Sequence, residues 1–302
     1  MKILFFLIFS IVLNAYTIKP ANYSGRVKFI KEEILKPYFE GFKFSEISDL
    51  AYDKDKKILY MVSDEGILYH FRAEFTPNGY KLKPLKAYKL KSKKGKILKG
   101  KKSDSEGLAL DNKGNLYISF EGKPKIYLFS KDGYRLKKIK LPKELKKAKL
   151  RSKNKSLESL AWHPKYGLIT ALEYSKVGNS KLNQTIYSTS GKSWKIRLEE
   201  IRNNAITEIE VMDDGNLLVL ERAYNGILGK FEVNLVKLYI NNCKSGTFCK
   251  KEPILKIDSA KGWHIENFEG LARVGKNRYL LISDDNDSFL ASSVLVYFEI
   301  EN

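Results

Sequence analysis

Acidic residues recur at one interval along this chain: Glu106 and Glu121, Glu158 and Glu173, and Glu269 and Asp284 are each 15 residues apart. Glu208 and Glu221 form a shorter pair 13 apart, and Ser48 stands 15 before Ser63, the neighbour of Asp64. Carboxylates gathered in one place cannot all stay ionised without compensation. They hold a hard cation such as Ca²⁺, which takes about six to eight oxygen ligands, they keep protons, or they surround an arginine. Arg222, next to Glu221, is the guanidinium placed for the last role. The plainer alternative is that each acid accepts backbone N–H groups of a neighbouring element and locks it in position.

The elements that carry these acids are repeats. Ser48-Asp-Leu-Ala-Tyr-Asp53 with Ile58-Leu-Tyr-Met-Val-Ser-Asp64, Glu106-Gly-Leu-Ala-Leu-Asp111 with Asn115-Leu-Tyr-Ile-Ser-Phe-Glu121, and Glu158-Ser-Leu-Ala-Trp-His163 with Leu168-Ile-Thr-Ala-Leu-Glu173 align with one another. Glu208-Ile-Glu-Val-Met-Asp213 with Asn216-Leu-Leu-Val-Leu-Glu221 is a more divergent copy, and Glu269-Gly-Leu-Ala-Arg-Val274 with Tyr279-Leu-Leu-Ile-Ser-Asp284 is a fifth. The copies start 50 to 61 residues apart, the length of a four-stranded propeller blade. Each opens with a short apolar strand, turns at polar residues such as Asn112-Lys-Gly114, and continues into a β-branched and aromatic strand.

The expected fold is all-β: a single propeller of four-stranded antiparallel blades, with five blades legible and a sixth only if one copy has diverged past recognition. Ser293 to Ile300 ends the chain one strand short, so Val27 to Leu35 is the candidate for the missing outer strand of the last blade, a closure that removes exposed edges. In an antiparallel hairpin the start of one strand and the end of the next share an edge. The spacing therefore predicts Asp64, Glu106, Glu121, Glu158, Glu173, Glu208, Glu221, Glu269 and Asp284 around one mouth of the central channel.

The 302 residues are 43% hydrophobic, enough for a substantial core and too apolar for disorder as the main state. Residues 1–15, with Lys2 followed by an apolar run from Ile3 to Leu13, read as a signal peptide cut near Ala15, which leaves residues 16–302 as a propeller domain that is periplasmic or secreted. That run is too short to span a bilayer, and no later segment is long and apolar enough. Cys243 and Cys249 are expected to pair as a local disulfide, since the three histidines show no zinc-ligand spacing to them. The formal charge of +20 comes largely from Lys81–Lys102 and Arg135–Lys155. Those runs read first as solvated outer strands and loops, and secondly as a means of concentrating anions or holding the protein near anionic lipid or polysaccharide. Nucleic acid is a poor fit, because no reading motif is present. A monomer is expected.

Ser-Asp64, Asp104-Ser-Glu-Gly-Leu-Ala109, Leu-Val-Leu-Glu-Arg222, Asn267-Phe-Glu-Gly-Leu-Ala272 and Leu-Ile-Ser-Asp-Asp-Asn286 together resemble the phytase-like family, also described as having esterase-like activity, a group of exported bacterial propellers. The resemblance runs from about Phe44 to Asn286. It implies metal-assisted hydrolysis of a small anionic substrate, with a phosphoester first in view. On that expectation Asp64, Glu106, Glu121, Glu221, Glu269 and Asp284 hold Ca²⁺. Glu158 or Glu173 takes a proton, Arg222 clamps a phosphoryl oxygen, and Asn267 and Asn286 contact substrate. Two departures stand out: Asp285 and Asp287 sit where the family has Asn and Phe, and Ser159 follows Glu158 where Gly is usual. The chain carries no Gly-x-Ser-x-Gly elbow, which argues against Ser-His-Asp chemistry. The competing expectation is a binding propeller whose mouth recognises a glycan, a peptide or an envelope partner around a structural cation.

Overall fold

The computed structural model describes residues 26–151, 156–224, 231–261, 263, 265–288 and 291–301. The signal-peptide expectation for residues 1–15 lies outside the described residues. After β1 (Val27–Ile34), the first blade comprises β2 (Ile47–Asp53), β3 (Ile58–Ser63), β4 (Ile67–Thr76) and β5 (Gly79–Lys89). The second comprises β6 (Ser105–Leu110), β7 (Leu116–Phe120), β8 (Lys125–Phe129) and β9 (Arg135–Lys138). The third has β10 (Ala161–His163), β11 (Gly167–Ala171), β12 (Asn183–Ser188) and β13 (Ser193–Arg197), and the fourth has β14 (Asn204–Val211), β15 (Leu217–Tyr224), β16 (Phe231–Leu238) and β17 (Lys251–Asp258). The last is built from β18 (Asn267–Gly275), β19 (Arg278–Asp284), β20 (Val294–Ile300) and β1.

These are five four-stranded antiparallel blades arranged as a β-propeller, and the described residues hold no sixth. The N-terminal strand closes the ring as the sequence suggests: β1 pairs with β20 from Val27 opposite Ile300 to Ile34 opposite Val294. The innermost strands β2, β6, β10, β14 and β18 contact their neighbours in turn around the axis, with β18 returning to β2. Apolar side chains of successive blades interdigitate between the sheets, for example Leu50, Met61 and Phe71 of the first blade with Leu280, Ile282 and Leu295 of the last.

The Glu-Gly-Leu-Ala repeat has a steric origin. A Cβ on Gly107 would stand 2.6 Å from Cβ of Leu160 and 2.8 Å from its backbone N, and one on Gly270 would meet Cα of Asp49 at 2.9 Å. The inner strand of one blade thus passes directly over the next, and only a residue without a side chain fits between them. Gly270→Ala should lower the unfolding free energy by about 1–3 kcal/mol in urea titrations. A loss within experimental error would show that the blades are not in such close contact.

The two cysteines pair as expected: Cys243 and Cys249 form a disulfide. Its loop lies along the outer strand of the third blade, where the N–H of Lys195 donates to Thr247 O at 2.8 Å and that of Cys249 to Lys195 O at 2.9 Å. No helix among the described residues is long and apolar enough to cross a membrane.

Candidate acidic site at the channel mouth

Four of the inner hairpins begin with an irregularity that decides which side chains reach the channel. The β2–β3, β6–β7, β14–β15 and β18–β19 registers each shift near the start of the inner strand, leaving Ser48, Glu106 with Gly107, Thr207 and Glu269 without a cross-strand partner. A bulge turns the extra side chain away from the regular alternation. At the same edge come Asp64, Glu121 and Glu173, each one residue past the last pair, and Asp284, paired with Asn267; in the fourth blade the equivalent position is Arg222, paired with Ala205.

The result is one cluster fed by all five blades, with acids from four of them and Arg222 from the fourth. Asp104, Glu106 and Glu121 each offer a carboxylate oxygen, and these lie within 4.8 Å of one another. Burial, then the charges of Glu269, Asp104, Glu121 and Asp64, push Glu106 well above the usual carboxylate range. Burial with the neighbouring Glu46, Asp104 and Glu269 charges raises Asp64 to about 7. Burial with Glu269 and Asp64 raises Asp284 to about 8, although the N–H of Asn286 donates to its Oδ1 at 2.8 Å.

The other side of the cluster is organised by Arg222. Its guanidinium donates to Glu269 Oε1 and Asn267 Oδ1 and lies 3.7 Å from Glu173 Oε1. Burial alone would lower the pKa of this arginine, but the carboxylates of Glu269, Glu173 and Glu158 outweigh it and keep the cation. Asn267 completes the web, donating from Nδ2 to Glu269 Oε1 at 2.9 Å and to Asp284 Oδ2 at 3.4 Å. Asn286 is exposed on the turn after β19, with φ of 49°. Asp285 turns inward, accepting from the N–H of Glu46 at 2.8 Å and from Ser293 Oγ at 3.2 Å, so it joins the last blade to the first, while Asp287 pairs with Lys43.

Two residues expected at the mouth are elsewhere, and the reason is a one-residue displacement in the fourth blade. The bulge falls at Thr207, not Glu208, and the residue 15 further on is Arg222, not Glu221. Strand alternation then sends Glu221 to the opposite face, where its Oε2 accepts from Asn204 Nδ2 at 2.7 Å and from the N–H of Glu199 at 3.0 Å. Glu208 lies deeper in the ring. Its Oε1 accepts from the N–H of Leu160 at 2.9 Å and of Ile209 at 2.7 Å, and its carboxyl hydrogen-bonds to Asp49. Asp49 in turn accepts from the N–H of Leu108 at 2.6 Å. Burial raises both acids well above their ordinary values, against the backbone N–H groups that each accepts from, which favour the charged form. For these acids the role is the plainer one of holding blade to blade. Glu210 does the same through the N–H of Arg273 at 2.9 Å.

Beside Asp64 and Asp104 opens a cleft of about 580 Å³, lined also by Glu46, Lys43, Lys89 and Lys99. Acids and lysines thus line the same cleft. Asp104 was not among the residues expected to act, although it stands two before Glu106, the interval that returns a strand to the same face.

Raised carboxyl pKa values set the sign of a pH effect. Between the ordinary range near 4 and their folded values near 7 and 8, Asp64 and Asp284 bind more protons folded than unfolded. Stability without added metal should therefore fall as pH rises from about 4 to about 8. Melting temperatures at fixed ionic strength in a chelating buffer would show this decline, and a rise over the same window would contradict the described cluster.

The chain matches the family model described as "Phytase-like: Esterase-like activity of phytase" over residues 43–287. No curated protein matches it in sequence. Among solved structures it is similar to the PQQ-bound form of an aldose sugar dehydrogenase from Streptomyces coelicolor, with 11% identity and a TM-score of 0.37 over 90% of this chain and 98% of that one. It is also similar to the β-propeller domain of Cps50 (Swd1) from Myceliophteria thermophila, with 11% identity and a TM-score of 0.41 over 89% and 100%.

Proposed function

Since the chain belongs to this phytase-like family, named for an esterase-like activity, we propose that its channel mouth hydrolyses small phosphoesters with the help of a hard cation. The observation that carries the reading is the convergence of Asp104, Glu106 and Glu121 beside a cleft that Lys43, Lys89 and Lys99 also line. Oxygen-only donors of this kind suit Ca²⁺ better than a soft transition metal. When bound, such an ion neutralises phosphate oxygens and lowers the pKa of a coordinated water.

The chain's own residues supply the rest. Lys89 and Lys99 draw an anionic group into the cleft. In the cation-free cluster Asp64 and Asp284, at about 7 and about 8, exchange protons at neutral pH. They suit proton transfer better than Glu158 or Glu173, whose charges are committed to Arg222. Arg222 is buried and engaged by Glu269, Asn267 and Glu173, so its part is to position those acids, and a phosphoryl contact would need that web to open. Asn267 serves the same web, while exposed Asn286 remains available to a ligand.

The Arg222 web also favours a second reading. One guanidinium already engages three of the acids internally, as in a site that recognises a glycan, peptide or envelope partner around a structural cation. Incubation with p-nitrophenyl phosphate and with phytate, with and without Ca²⁺, separates the two. The hydrolase reading expects turnover that EGTA abolishes; no turnover, with a calcium-dependent rise in melting temperature, favours the binding module. The Cys243–Cys249 disulfide fits an oxidising compartment, in keeping with export.

A further inference from the structure

The positive charge of this protein is confined to one flank. Residues 79–151 contain 24 of the 55 Lys and Arg residues but only 6 of the 35 acids, so the remaining chain is nearly balanced. Three of those six acids, Asp104, Glu106 and Glu121, are turned into the mouth cluster. The segment runs from β5, the outermost strand of the first blade, to β9, the outermost strand of the second, and just beyond. Its two edges are joined: the N–H of Lys91 donates to Gly133 O at 2.8 Å, and that of Arg135 to Lys91 O at 2.9 Å. Lys81, Lys83, Lys86 and Lys89 on β5, Lys93, Lys94 and Lys96 on the linking turn, and Lys137 and Lys138 on β9 are all exposed.

Exposed aliphatic side chains sit among these lysines. Both outer strands carry a bulge at corresponding places, and in each the residue without a cross-strand partner is a leucine, Leu85 and Leu136. They are 41% and 48% exposed, with Ile97 of the linking turn at 39%. The fourth blade has the same bulge in β17, but there the extra residue, Ile254, is 1% exposed beneath the chain at Arg26 and Val27. A position that buries its side chain in one blade thus presents it to solvent in two others, only where lysines surround it.

We propose that this flank docks on an anionic lipid surface. Lysine ammonium groups are mobile point charges that suit a fluid array of headgroup phosphates, whereas ordered phosphate reading favours the arginine fork, and only two of the 24 basic residues are arginines. Leu85, Ile97 and Leu136 gain by entering the headgroup boundary and gain nothing from a sulfated or phosphorylated polysaccharide. Lys89, Ile97 and Lys99 also line the cleft at the mouth, so docking brings that cleft beside the bilayer. The inference stands on the flank alone and holds whether or not the mouth is catalytic.

The test is co-sedimentation of the full chain with phosphatidylglycerol–phosphatidylcholine vesicles, with phosphatidylcholine vesicles, and with a dextran sulfate matrix. The expected result is binding to the anionic vesicles alone that salt weakens. Substituting Lys83, Lys86, Lys137 and Lys138 together by Gln should weaken it at least about tenfold, with the melting temperature kept. Leu85→Ser with Leu136→Ser should weaken it further at high salt, where the charge contribution is screened. All variants share the same N-terminus, so any contribution from residues 1–15 cancels. Equal partition of the wild type and the lysine variant, binding that ignores lipid charge, or retention on dextran sulfate without vesicle binding would overturn the proposal.

Discussion

Glu106→Gln should do two opposite things: stabilise the protein in the absence of calcium and abolish its response to calcium. The Glu106 carboxyl is crowded by the charges of Glu269, Asp104, Glu121 and Asp64, and burial adds to its difficulty in ionising. An amide removes one member of this like-charged set, so the calcium-free variant should melt at a higher temperature than the wild type. The same change takes away one of the three carboxylates that stand within 4.8 Å of one another. A ligand at about a hundred times its dissociation constant stabilises by about 2.7 kcal/mol, and that increment should vanish. Hydrolysis of p-nitrophenyl phosphate, if calcium-dependent, should drop by at least about a hundredfold. Differential scanning fluorimetry with EGTA and with Ca²⁺ reads both halves. A variant that melts lower without calcium and still gains from its addition would show that Glu106 is a blade-locking residue and no ligand.

The largest purely structural effect is expected at Glu208. Glu208→Ala leaves the buried N–H groups of Leu160 and Ile209 without their acceptor and opens a void where the carboxyl stood. Losing one side of a buried polar pair costs about 3 kcal/mol or more. Glu208→Gln keeps an acceptor oxygen for both N–H groups and should cost about 1 kcal/mol. Urea unfolding of the two variants distinguishes them, and equal losses would mean that Glu208 contributes only its bulk. Activity per folded molecule should be unchanged in Glu208→Gln, since this pair lies apart from the mouth.

The blades were legible because their residues obey two simple periods: alternation within strands and a repeat of 50 to 61 residues between them. Closure of the ring by Val27–Ile34 followed from counting strands in the last blade. The site was legible only where the repeat was regular. In the second and last blades Glu106 with Glu121 and Glu269 with Asp284 keep the 15-residue interval, and they meet. The fourth blade was misaligned by one position, because Glu208 resembles the other opening glutamates in type but follows the bulge instead of occupying it. Its 13-residue interval to Glu221 was the available warning, and Thr207 with Arg222 restores 15. Bulges have no strong signature of their own in apolar strands, so a single-residue slip is easily missed and reverses which face a side chain takes. Asp104 was overlooked for a different reason, since it precedes the repeat. The meeting of Asp49 and Glu208 depends on two strands from non-adjacent blades and has no trace in local sequence.

Diffraction from crystals soaked in Ca²⁺, recorded at a wavelength where calcium scatters anomalously, tests the central claim most directly. The account predicts an anomalous peak bounded by the carboxylates of Asp104, Glu106 and Glu121, lost in crystals of Glu106→Gln. A map without a peak there at pH 8 would contradict it.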